Sequence, residues 1–177
     1  STVSDLFKCD IGLFQGEITS PIIFSLFLND IELHLQENIN VGLTVDQISI
    51  YLLLFADDAV LLSETKEGLQ KSLNSLEQYC KKWNLTVNVQ KTKIVVFRKA
   101  GILNRNYRWS YAGNDIEIVQ NFNYLGIVFS SGGSFMPATN MLSGKGLRAI
   151  NMLFNVTKNL RRPIHIMFNL FDLYCQF

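Results

Sequence analysis

The chain has 177 residues, 48% hydrophobic and 18% charged, the balance of a globular protein with one domain or a domain and part of a second. Three scattered cysteines (Cys9, Cys80, Cys175), no Cys/His cluster and no signal peptide or uninterrupted membrane-length apolar run exclude a disulfide framework, a zinc site and a membrane protein as readings. The net charge of +1 hides a split: residues 1–64 hold ten acids and one base, residues 65–177 fifteen bases and five acids, which points to a polyanionic partner for the second part or, more plainly, to a solvated basic surface.

In chain order, residues 12–38 read as a loop and then one helix, with Ser20 as N-cap and Pro21 at the first helical position. Ile23, Phe27, Ile31 and Leu35 give its apolar stripe. Residues 38–47 read as a loop. Residues 48–56 and 59–63 read as paired strands, apolar on both faces and therefore buried on both, turning at Asp57-Asp58. Leu69, Leu73, Leu76, Cys80 and Trp83 mark an amphipathic helix. "TKIVVF" is a short strand, and "YRWSYAG", "DIEIV" and "FNYLGIVFS" are further extended pieces, with a turn at Gly113–Asp115. From Pro137 to about Leu160 a helical pattern returns, weakened by Gly144 and Gly146 and broken at Pro163. The apolar run up to Phe177 makes both ends look cut, so a fragment of a longer protein is expected.

The unusual feature is "YLLLFADDAVLLSE", residues 51–64, with two adjacent carboxylates in an apolar run. Burying them unpaired costs several kcal/mol by order of magnitude. Raised pKa values, a turn that reaches water, or a bound cation each resolve the conflict, and the residues alone leave an Asp-Asp turn facing water open beside a cation site. In a flat strand Phe55 and Asp57 share a side and Asp58 starts opposite. Carboxylate oxygens suit Mg²⁺, which takes one or two of them plus waters and substrate phosphates. The two histidines, His34 and His165, have no metal-ligand spacing, and Trp83 reads as core.

Four motifs in order resemble the reverse transcriptases of non-LTR (LINE-type) retrotransposons: "QGEITSPIIFSLFLNDI", "LLFADDAVLLSE", "LEQYCKKWNLTVNVQKTKIVVF" and "FNYLGIVFS", over residues 10–130. The resemblance implies an α+β right-hand polymerase palm, incomplete, in residues 1–136: a small antiparallel sheet with helices on one face. Residues 137–177 would begin a helical thumb. It implies RNA-directed DNA synthesis by two-metal nucleotidyl transfer, with two Mg²⁺ ions, an RNA template, a DNA primer and deoxynucleoside triphosphates. Carried over residue by residue, Asp57 and Asp58 are the catalytic metal ligands and Lys91 lies near the leaving phosphates. Gln15 and Gly16 line the nascent base pair, Phe55 lies by the primer end, and Tyr124 and Gly126 belong to the primer grip. Lys93, Arg98 and Lys99 in the basic stretch are the candidate nucleic-acid contacts. An intracellular setting, cytoplasm and nucleus, is expected from the scattered cysteines and from the lack of a signal peptide or transmembrane segment.

Phe14 stands where many relatives carry Arg, and Glu17-Ile18 where Asp-Pro is common. The family's upstream catalytic Asp has no candidate here, since Asp5 and Asp10 sit too close to Gln15. The isolated chain is therefore expected to bind Mg²⁺ weakly and not to polymerise. Two other readings stand beside the polymerase: a non-catalytic nucleic-acid-binding relic or repurposed module, and an interaction domain with an exposed Asp-Asp turn.

Overall fold

In the computed structural model, which describes residues 12–13, 16–38, 42–99, 106–157 and 168–169, the expected first helix is two. α1 (Ser20–Phe27) and α2 (Ile31–Asn38) are separated by an elbow at Leu28–Asp30. Thr19, not Ser20, holds the N-cap position, with helical dihedrals and no side-chain cap bond, while Pro21 falls in the first turn as its fixed φ favours. The apolar stripe is buried only in its second half: Ile31 and Leu35 are in the core, whereas Ile23 and Phe27 on α1 are exposed.

The segment read as a loop contains a strand. β1 (Leu43–Val45) pairs antiparallel with β2 (Ile48–Ile50), and β3 (Leu52–Phe55) with β4 (Asp58–Leu61). The single strand expected over 48–56 thus divides at Tyr51, whose carbonyl still accepts from Leu62 N at 3.0 Å. Gly42 is needed where the first hairpin closes: a Cβ there would lie 2.8 Å from the Ile50 carbonyl oxygen and 2.9 Å from the Tyr51 ring. α3 (Lys66–Lys82) starts at Thr65, whose hydroxyl accepts from Gly68 N at 3.0 Å. Its Leu73, Leu76, Tyr79 and Cys80 are buried as the amphipathic period requires.

β5 (Lys93–Ile94) is shorter than expected. β6 (Ser110–Tyr111) and β7 (Asn114–Asp115) form a hairpin turning at Ala112-Gly113. β8 (Glu117–Ile118) pairs parallel with β5. β9 (Asn121–Tyr124) and β10 (Ile127–Ser130) make another hairpin, and α4 (Met136–Thr157) follows with both Gly144 and Gly146 inside it. Instead of one small sheet, the described residues form five two-stranded ladders, four antiparallel and one parallel. The break expected at Pro163 lies outside the described residues. No helix among the described residues is long and apolar enough to cross a membrane.

Two compact units account for the fold: Ser1–Val89 with Asn106–Ile116, and Gln90–Arg105 with Glu117–Phe177. In the first, α2 packs on α3 and the 106–116 segment covers α3. Gln70 acts as a surrogate strand for that segment, its Nε2 donating to the Ser110 carbonyl (2.9 Å) and its Oε1 accepting from Ser110 N (3.0 Å). Trp109 Nε1 donates to the Lys66 carbonyl at 2.9 Å, and both Trp109 and Tyr111 are buried. In the second unit, Val119 N donates to the Ile94 carbonyl and Ser131 N to that of Gln120, while α4 lies against β10.

Candidate active site

The aspartate pair sits at a hairpin tip, as expected, but the turn is one residue earlier than the sequence reading placed it. Phe55 and Asp58 are the last cross-strand pair, so Ala56 and Asp57 are the turn and Asp58 opens β4. Cross-strand partners project to one face, so it is Asp58 that shares a face with Phe55, while Asp57 projects from the tip. The register Leu52↔Leu61 fixes this two-residue loop.

The geometry places a positive φ (+52°) on Ala56 and not on Asp57, the sign pattern of a type II′ turn, whose first position normally belongs to glycine. A left-handed alanine costs about 1 kcal/mol. Ala56→Gly should therefore raise the stability of the chain by up to roughly 0.6 kcal/mol, net of the entropy glycine adds to the unfolded chain. Chemical denaturation measures it, and a destabilised glycine variant would contradict the strained turn.

Burial on both faces is not what the hairpin shows. Leu53, Leu54 and Phe55 are all exposed, Phe55 by 59%, as are Asp57 and Asp58. On the Leu54 side, Leu54 and Ala56 line a cavity of about 240 Å³ with residues of α1, the elbow and α2. Two solvated carboxylates at a tip match the one or two that Mg²⁺ takes from protein. No group of three or more His, Cys, Asp or Glu that could hold a metal occurs among the described residues.

Gly16 has φ +89°, open to solvent, and no atom would lie within 4 Å of an added Cβ, so backbone conformation and not crowding selects glycine there. Gln15 lies outside the described residues. The remaining predicted site residues belong to the second unit. Tyr124 ends β9, and Leu125-Gly126 form the tight turn of the β9–β10 hairpin, both at positive φ (+49° and +82°). Lys91 and Lys99 are exposed and Arg98 is half-buried. Lys93 has its ammonium engaged: it donates to Glu117 Oε2 at 2.7 Å and to the Gln90 carbonyl at 2.8 Å. Trp83 packs edge-on against Phe27 at 5.4 Å, with Lys82 Nζ 5.2 Å from its ring centre. The sequence reading missed the strain at Ala56; the count of residues between the paired strands carries that signal.

Residues 5–129 match the family model described as reverse transcriptase (RNA-dependent DNA polymerase). The chain is 32% identical over 139 residues to the retrovirus-related Pol polyprotein from type-1 retrotransposable element R2 of Nasonia vitripennis, covering 73% of this chain and 13% of that protein. It is 29% identical over 122 residues to the RNA-directed DNA polymerase from mobile element jockey of Drosophila melanogaster, covering 66% and 13%. To the R2 polyprotein of Popillia japonica it is 28% identical over 138 residues, covering 75% and 19%. The chain spans less than a fifth of the length of these curated relatives. Sequence motifs, a carboxylate-tipped hairpin and a matched span of most of the chain converge: this protein belongs to the reverse transcriptase family, among the non-LTR retrotransposon members.

Proposed function

We propose that this chain is the back of the palm, with residues from 137 onward starting the thumb, of an RNA-directed DNA polymerase that extends a DNA primer on an RNA template. The observation that carries the reading is the exposed Asp57–Asp58 pair at the tip of the β3–β4 hairpin, where Asp57 ends the strained Ala56–Asp57 turn and Asp58 opens β4. Bound divalent ions would supply Lewis-acid stabilisation of the attacking 3′-oxygen and the departing pyrophosphate. Asp57, projecting from the tip, is the principal ligand, and Asp58 the second. Phe55, on the Asp58 face, offers an apolar surface to the primer end. The left-handed Gly16 gives backbone access to the new base pair.

Charge divides with the fold. The first unit's sequence has thirteen acids and six bases, and the second ten bases and two acids. The acidic unit is the one that holds cations, and the basic unit is the one that holds template and primer phosphates. Lys91, Arg98 and Lys99 are its candidate contacts, with Lys91 nearest the leaving phosphates. Lys93 serves the β5–β8 ladder first, because a phosphate must displace Glu117 to reach it.

Titration of the 177-residue chain with Mn²⁺ should broaden the Asp57 and Asp58 amide resonances first, with an apparent Kd in roughly the millimolar range. The chain alone should not extend a primer, and it should bind a primer–template duplex with an affinity that falls steeply with salt. Broadening centred away from residues 57–58, with nucleic-acid binding indifferent to divalent ions, would instead identify a non-catalytic binding module.

A further inference from the structure

The elbow between α1 and α2 has no glycine or proline to cause it. A side chain 49 residues away reaches it. Tyr79 is fully buried on α3, and its hydroxyl donates to Asp30 Oδ1 at 2.5 Å and reaches the Phe27 carbonyl at 3.5 Å. Asp30 stands at the N-cap position of α2, where a carboxylate ordinarily turns back onto its own helix. Here it accepts from Tyr79. The ring is flanked by His34 at 5.4 Å and Trp83 at 6.3 Å, and His34 Nε2 lies 3.2 Å from the Ser75 carbonyl oxygen. Burial, then the neighbouring Asp30, push the Tyr79 phenol above its ordinary pKa, which keeps it a donor.

The elbow held this way has a second side. Leu28, Asn29 and Ile31 line the same cavity as Leu54 and Ala56 of the carboxylate hairpin. A strained dihedral such as that of Ala56 persists only where its surroundings over-determine it. We propose that Tyr79 is a positioning residue for the candidate active site: through Asp30 it fixes the elbow that walls the cavity beside Ala56, and thereby sets where Asp57 is held. This inference rests on the metal-binding reading of Asp57 and Asp58 given above.

The test compares Tyr79→Phe, which keeps the ring, with Asp30→Ala and the conservative Asp30→Asn, all in the 177-residue chain. Two readouts are used: the amide resonance positions of Ala56, Asp57 and Asp58, and the Mn²⁺ concentration that half-broadens the Asp57 amide. Tyr79→Phe and Asp30→Ala should each move those resonances and raise the half-point about tenfold, the scale of one lost hydrogen bond to a charged group. Asp30→Asn retains an acceptor and should stay within about twofold of the parent. The double variant Tyr79→Phe/Asp30→Ala should go no further than either single change. A lowered melting temperature with resonances 56–58 and the half-point unmoved would make the bond purely structural and overturn the proposal. An Asp57→Asn control separates the two levels. If it leaves the centre of broadening in place, the metal site itself is misassigned; if it removes that centre and Tyr79→Phe moves nothing, only the positioning role fails.

Discussion

Asp57→Asn, introduced into a complete polymerase containing this chain, is expected to lower primer extension by roughly a hundredfold or more, the scale seen when one electrostatic stabiliser of a transition state is lost. The change is nearly isosteric, and asparagine tolerates turn dihedrals as well as aspartate does. Asp57 is exposed at the tip of the β3–β4 hairpin, so its replacement should shift stability by less than about 0.5 kcal/mol. The lost activity cannot then be assigned to unfolding. Asp58→Asn should cost less, because Asp58 lies in β4 beside Phe55 and not at the apex. Full synthesis by the Asp57→Asn enzyme, measured in single turnover at saturating Mg²⁺, would remove the basis for the proposed function.

Leu35→Ala should destabilise the first unit by about 2–5 kcal/mol. Leu35 on α2 is fully buried and shares the core with Ile31 of the same helix and with Leu28 of the elbow. Ile31 and Leu35 are the buried apolar residues of α2, one turn apart, and His34 between them meets Ser75 and Tyr79 of α3; truncating Leu35 leaves a void that Ile31 cannot fill. Equilibrium denaturation measures the loss. A cost below about 1 kcal/mol would mean that α2 collapses onto α3 without penalty, against its observed burial.

How far the sequence could be read depends on where each signal resides. α3 was legible because its signal is local: Leu69, Leu73, Leu76 and Cys80 recur at helical spacing within Lys66–Lys82. The hairpin tip was legible for the same reason, since two aspartates flanked by apolar runs leave the chain little choice. The register was not. Asp is the better turn former, but the ladder from Leu52↔Leu61 to Phe55↔Asp58 puts Ala56 in the strained position, and four cross-strand pairs outweigh about 1 kcal/mol of local strain. The division of the 48–56 strand at Tyr51 was hidden because an apolar run on both faces carries no period to mark a break. The elbow and the engagement of Lys93 were hidden for another reason: Tyr79 and Glu117 act from 49 and 24 residues away. Hairpin burial was overestimated because apolar composition records what a surface can bury, while Leu53 and Phe55 meet no such partner among the described residues.

The discontinuity of the first unit has a consequence for how the polypeptide is made. Its core is written in two instalments, with residues 90–105 belonging to the other unit in between. On the ribosome α3 emerges well before Trp109 and Tyr111, the side chains that cover it. Chains leave the ribosome at about 5–20 residues per second. For a second or more, the nascent helix therefore carries an uncovered apolar flank around Leu73 and Cys80, the kind of transient exposure that favours aggregation until the 106–116 segment has been made.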